Sequence, residues 1–416
     1  MNRFALKIGA SLAAAAIALS LTACGATVAQ NASTTSSTTT TTTVATANAA
    51  TATTSVDTHF DDDDLTWDAS DEVKVTLADG ASTGGTGVTV QGNTVTITTG
   101  GVYRISGTLT NGQLVVAAED DKTVTLILDS ASITNSSGPA IAVTSADEVT
   151  VYLADGTTNT IADGSGYTVA DDATPVAAIA SASDLTIAGG GTLNVTGKTN
   201  DGISSSDGLV IVSGTINVTA ADDGIRGKDY VYVLDGTIKV EASGDALKSD
   251  NETDEGRGWV RVDGGTLSLS AGSDGVDAFR AIDITSGTLT VTKSAEGLEA
   301  DQITISGGTV AITASDDGIN STAGTQAGGT EQNDGSLLTI SGGTVTVKAG
   351  SDGIDANGSV ALTGGTITIT SGSGGGTGAV DANGTITLNG AKLTANGTQI
   401  TDASQLGTSM MGGGRR

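Results

Sequence analysis

Residues 273–301 read SDGVDAFRAIDITSGTLTVTKSAEGLEAD, and within them an acid, a glycine and an aliphatic residue come twice, as Asp274-Gly275-Val276 and Glu296-Gly297-Leu298. The same triplet or a close variant starts at Asp201, Asp223, Asp245, Asp317 and Asp352. A period of about 22 residues marks a solenoid, in which each unit buries its apolar face only against its neighbours. After the triplets come short alternating apolar runs, LVIV (209–212), VYVL (231–234) and VALT (360–363), then Ser-Gly or Gly-Gly, then runs such as GTINVTA (214–220) and GTLTVTK (287–293). Period-two alternation bounded by glycine is the pattern of short strands joined by tight turns. Three such strands fill one repeat and leave no room for a helix.

The reading is therefore all-β, a single-stranded parallel β-helix of about ten coils with three short strands per coil. Inward positions are Ile, Val and Leu, exemplified by Leu209, Ile211, Ile216 and Val218. Stacking of coils supplies the core, which makes an aromatic content of 2% sufficient. Sixty glycines and two prolines suit tight corners and strands whose N–H groups all donate. Two longer steps contain SDNETDEGRG (249–258) and STAGTQAGGTEQND (321–334), which read as loops extruded at a corner.

The ends have a different composition. MNRFALKIGASLAAAAIALSLTAC places Arg3 and Lys7 before an apolar run closing on Leu-Thr-Ala-Cys24. This reads as a lipoprotein signal peptide over 1–23, with Cys24, the only cysteine, as the lipidated residue. Residues 24–59 are rich in Thr, Ala and Ser and read as a disordered tether. The β-helix is expected over 60–395 and a flexible Gly-rich tail over 396–416. The expected setting is the extracellular face of a bacterial membrane, with a monomer held there by its lipid.

Forty-seven acids against 18 bases give a formal charge of −29, which excludes nucleic acid as a partner. The acids recur at one corner, where stacked carboxylates repel unless a cation or base lies between them. The fourth residue of successive triplets runs Ser204, Arg226, Lys248, Asp277, Glu299, Asn320, Asp355. Asp274, Asp277, Glu296, Glu299, Asp317, Asp352 and Asp355 thus form a candidate Ca²⁺ site, hard oxygens being the ligands calcium prefers. The plainer alternative is that each first-position acid caps its own turn.

Aligning Gly236 with Gly265 sets Tyr230 beside Trp259 and Tyr232 beside Arg261, all outward. An exposed aromatic pair can stack on a sugar face, and Arg261 and Arg280 belong to a basic patch suited to a carboxylated glycan. Packing under the 249–258 loop and mutual salt bridges are the competing accounts. Outward Thr pairs such as Thr288/Thr290 and Thr366/Thr368 are broken elsewhere by Asn217, Lys239 and Ala311, which argues against an ice-binding array. The one histidine, His59, lies at the end of the tether, so a Ser-His-Asp triad and a His-ligated zinc site are excluded. A calcium-dependent polysaccharide lyase is not excluded, with Lys248 or Arg226 as its base, nor is a structural or adhesive surface spacer.

The stretch VTITTGGVYRISGTLTNGQLVVAAEDDKTVTLILDSASITNSSGPAIAV (95–143), followed by the acidic triplets, resembles a bacterial secreted carbohydrate-binding domain family. GVYRISGTL and LILDSASITN carry most of the likeness, which spans roughly residues 65–395. The resemblance implies a right-handed parallel β-helix related to pectate lyases, binding of cellulose and acidic pectin-like polysaccharide at the cell surface, bound calcium, and no strong catalysis. The acidic turns carry over at Asp274-Gly-Val-Asp277 and Asp352-Gly-Ile-Asp355, with Glu296-Gly-Leu-Glu299 a conservative departure. Asp223-Gly-Ile-Arg226 and Asp245-Ala-Leu-Lys248 reverse a charge, which implies direct binding of an anion there.

Overall fold

The computed structural model describes residues 56–168, 174–323, 333–374 and 377–406. Cys24, the expected signal peptide, most of the expected tether and the final residues of the expected tail lie outside these. The described body is all-β, one sheet system of 34 mostly parallel strands with three short 3₁₀ turns. Strands pair in parallel with the equivalent strand of the next repeat, usually three places further along the chain. Three ladders result. The first contains Asp201–Ser205, Ile225–Gly227 and Leu247–Ser249; the second contains Gly208–Ile211, Tyr230–Val233 and Trp259–Val262; the third contains Thr215–Ala220, Thr237–Ala242 and Thr266–Ser270.

Alternation decides the core. Leu209, Ile211 and Ile216 are wholly buried and Val218 nearly so, and their register partners Val231, Val233, Ile238 and Val240 lie beside them. One continuous cluster of aliphatic side chains runs from Val75 to Leu406. At about 25 cal/mol per Å² of apolar surface removed from water, this stack is the dominant stabilising term.

Glycine in the acidic triplet has a steric cause rather than a dihedral one. A Cβ on Gly275 would sit 2.5 Å from the Gly297 carbonyl oxygen, and one on Gly297 2.2 Å from that of Gly318. Repeats therefore stack through these glycines at backbone contact distance.

Two boundaries differ from the sequence reading. Residues 396–406 do not form a loose tail: Thr398–Ile400 folds back antiparallel on Lys392–Ala395, and Ile400 and Leu406 cover the end of the core. Asn396 and Gly397 both take positive φ, the Asn-Gly chemistry of a two-residue hairpin turn. At the other end, His59 is docked rather than tethered. Its Nδ1 lies 2.7 Å from Tyr230 Oη and 3.0 Å from Asp184 Oδ1, and its Nε2 lies 2.9 Å from Thr186 Oγ1. His59→Ala is expected to raise hydrogen exchange over residues 57–65 at least about 10-fold, with little change in the third ladder. Unchanged exchange over 57–65 would mean that the imidazole does not hold this segment.

Candidate metal and carbohydrate site

The register sets Ser204, Arg226, Lys248, Asp277, Glu299, Asn320 and Asp355 in one outward row of the first ladder. Beside it, the first-position acids form a second row with a different job. The backbone N–H of Asp223 donates to Asp201 Oδ1 at 3.3 Å, that of Asp245 to Asp223 at 2.8 Å, that of Asp274 to Asp245 at 2.9 Å and that of Glu296 to Asp274 at 3.1 Å. The Asp352 N–H donates likewise to Asp317 at 2.7 Å, and that of Gly378 to Asp352. Each carboxylate thus caps the turn of the next repeat, not its own. Glu296, one methylene longer, instead accepts from Asn320 Nδ2 at 2.8 Å.

The seven acids proposed as metal ligands do not come together as one set. Asp274, Glu296 and Glu299 do, with one carboxylate oxygen from each lying within 4.8 Å of the others. Asp277 turns to Lys248, 3.3 Å away, and Asp317, Asp352 and Asp355 lie further along the rows. Asp201, Asp222 and Asp223 form a second trio, again with one carboxylate oxygen from each within 4.8 Å of the others. The doubled acid Asp222-Asp223 was its signal in the sequence.

Electrostatics at the first trio are unfavourable for three bare carboxylates. Burial first, then the charge of Asp245, pushes the Asp274 carboxyl up to about 6. Burial and the neighbouring Glu299 charge push Glu296 strongly upward too. Next to them, the Asn320 side-chain oxygen is cut off from water and has no hydrogen-bond partner. Three carboxylate groups so close together form a set of hard oxygens that fits Ca²⁺, with the Asn320 Nδ2 donating to one of them.

The bases are already paired. Lys248 Nζ lies 2.5 Å from Asp245, 3.3 Å from Asp277 and 3.6 Å from Asp223. Burial works against its charge, but the Asp245 hydrogen bond and the three carboxylates outweigh it and raise its pKa. Arg226 binds Asp250 through Nε and Nη2 at 2.8–3.1 Å, an acid supplied by the 249–258 loop. Both side chains considered as lyase bases are thus held in ion pairs.

The aromatic platform is present in altered form. Tyr230 and Trp259 stack at 4.7 Å with planes 9° apart, and Tyr232 meets Trp259 edge-on at 6.3 Å. Tyr230, expected to be exposed, is 2% exposed. Its ring lies over Gly208, where a Cβ would sit 2.1 Å from Cζ, and His59 and Arg257 cover it. Trp259 and Tyr232 remain half-buried. Tyr232 Oη donates to Asp263 at 2.6 Å, and Arg261 Nε binds the same carboxylate at 2.9 Å. Arg280 Nε donates to the Arg257 carbonyl at 2.9 Å. The patch is thus a packed, internally bonded surface rather than a set of free cations.

The profile of the family described as carbohydrate-binding domain-containing protein matches residues 91–333 and 300–413, and the chain belongs to that family. A protein of the same description from Acetivibrio thermocellus is 32% identical over 136 residues, covering 32% of this chain and 48% of the relative. The chain thus matches about half the length of that relative. A solved structure described as the polysaccharide lyase-like protein from C. thermocellum, a gadolinium derivative, superposes with a TM-score of 0.54 at 31% identity, over 58% of this chain and 97% of that one.

Proposed function

We propose that this protein is a lipid-anchored surface protein that holds polysaccharide without cleaving it, on a right-handed parallel β-helix steadied by calcium. The observation that carries this reading is the opposite fate of its charges. Lys248 and Arg226 are consumed by ion pairs, while Asp274, Glu296 and Glu299 crowd three carboxylates together with no base among them. Asp274, Glu296 and Glu299 would hold the ion. Calcium bound there supplies a positive centre on an acidic face, able to take a uronate carboxylate of a pectin-like glycan. Half-exposed Trp259 offers a ring to the apolar face of a sugar, as cellulose presents. The family description and the lyase-like name of the solved relative support a polysaccharide ligand.

The test incubates residues 57–416 with polygalacturonate and with insoluble cellulose, each with Ca²⁺ or EDTA, and follows pull-down and unsaturated-uronide absorbance together. Retention without new absorbance is expected, with retention on polygalacturonate falling at least about 10-fold in EDTA. Rising absorbance would make the protein a lyase. Neither signal would leave a surface spacer.

A further inference from the structure

We infer that residues 57–67 are a strap that closes over the outward face of the second ladder in acid and releases it in alkali, so that pH sets how far the Tyr230–Trp259 stack is covered. The strap begins beside the 249–258 loop, where Arg257 Nη1 donates to the Asp57 carbonyl at 3.1 Å. It ends where Trp67 meets Tyr152 edge-on at 4.9 Å and donates through Nε1 to Glu72 at 3.1 Å. Asp62–Leu65, between them, is a 3₁₀ turn.

The face beneath is outward yet dry. Glu148–Leu153 and Asp184–Gly189 continue the second ladder. Ile127, Ala188 and Val210 alternate with inward neighbours and are wholly buried, but they stand outside the core cluster. The strap touches their rows: Tyr152, against Trp67, is in register with Ile127 and Ala188, and Thr186, against His59, with Val210. Apolar burial thus favours closure. Among the described residues, no backbone-to-backbone hydrogen bond ties 57–67 to a ladder. Contacts that use side chains hold the strap, so it can lift without unzipping the sheet.

Charge opposes closure. The strap carries Asp57, Asp61, Asp62, Asp63 and Asp64 against a single base, His59. Below it lie Glu148 and Asp184, with Asp207 and Asp229 beyond Tyr230 and Arg257 3.5 Å from Asp229. His59 Nε2 is 3.7 Å from Glu148 and Nδ1 is 3.0 Å from Asp184, so a proton on the imidazole sits between two carboxylates. Glu148 is 7% exposed and accepts from Thr186 Oγ1 at 3.0 Å. Burial pushes its carboxyl up to about 7; the His59 charge opposes the rise, and those of Asp64 and Asp184 add to it. A strap that lifts returns Glu148 to water and its carboxyl toward the ordinary range. Closure therefore takes up a proton: it is most favourable below that range and is lost as pH rises through about 7.

The experiment follows the full chain in EDTA by hydrogen exchange at about pH 5 and about pH 8, each rate compared with that of an unstructured peptide at the same pH, and by hydroxyl-radical labelling of Tyr230. From the lower to the higher pH, protection over 57–65 should fall at least about 10-fold more than protection over the third ladder, and Tyr230 labelling should rise. Glu148→Gln is neutral at both pH values and still accepts from Thr186, so it should keep the strap shut at the higher one. Asp64→Asn, which removes a like charge facing Glu148, should weaken the opening. Equal protection over 57–65 at both pH values in the parent would overturn the inference, as would a fall that the third ladder shares or that Glu148→Gln leaves unchanged. No glycan enters the test, so its outcome is independent of the polysaccharide reading.

Discussion

Asp245→Ala is expected to lower the unfolding free energy of the body by about 3–5 kcal/mol, the cost of breaking a buried, hydrogen-bonded ion pair from one side. Asp245 is 4% exposed. One oxygen accepts the Asp274 N–H at 2.9 Å and the other accepts Lys248 Nζ at 2.5 Å. Alanine leaves that N–H without an acceptor and takes from Lys248 its nearest counter-charge. Asp245→Asn keeps an acceptor for the Asp274 N–H but removes the same charge from Lys248, so it should be less costly than alanine by about 1–2 kcal/mol. Denaturant unfolding of the three proteins measures both differences. If alanine costs less than about 1 kcal/mol, the carboxylate row is a solvated decoration and not a set of caps joining repeats.

The second large effect is a dependence of stability on pH whose sign runs opposite to that of most soluble domains. Burial raises Asp201 and Glu148 to about 7, and Asp317 and Asp355 to about 6. A carboxyl whose folded pKa lies above its unfolded value stabilises the fold fully below the unfolded value, and this contribution is lost as pH rises through the folded one. Between about pH 4 and 7, therefore, these groups make the chelated protein less stable as pH increases. Glu72, held low by Arg104, and Asp79, held low by Thr110, act the other way, but only below the ordinary carboxylate range. In EDTA the melting temperature should be higher at pH 5 than at pH 8, by roughly 5 °C or more. Millimolar Ca²⁺ should raise the pH 8 value and narrow the gap, since an ion that binds the ionised acids of the folded state favours that state. A chelated protein more stable at pH 8 would show the acids to be well solvated. A gap that calcium leaves untouched would remove the metal from the proposal and leave the titration in place.

Much of the architecture was legible in one repeat. The acid-glycine-aliphatic triplet, its period and the two-residue alternation depend on local spacing, and the register observed for Lys248, Asp277, Glu299 and Asn320 follows from counting residues. The Asn-Gly turn that closes the body at 396–397 was also visible, though the tail composition around it drew the reading toward disorder.

The partners of the charged groups were not legible, because they are set by contacts between distant segments. Sequence spacing by itself determined that the acids and bases share an edge of the ladder. Only the tertiary structure decided that a first-position acid caps the following repeat, that the loop after Ser249 delivers Asp250 to Arg226, and that His59 crosses 171 residues of chain to cover Tyr230.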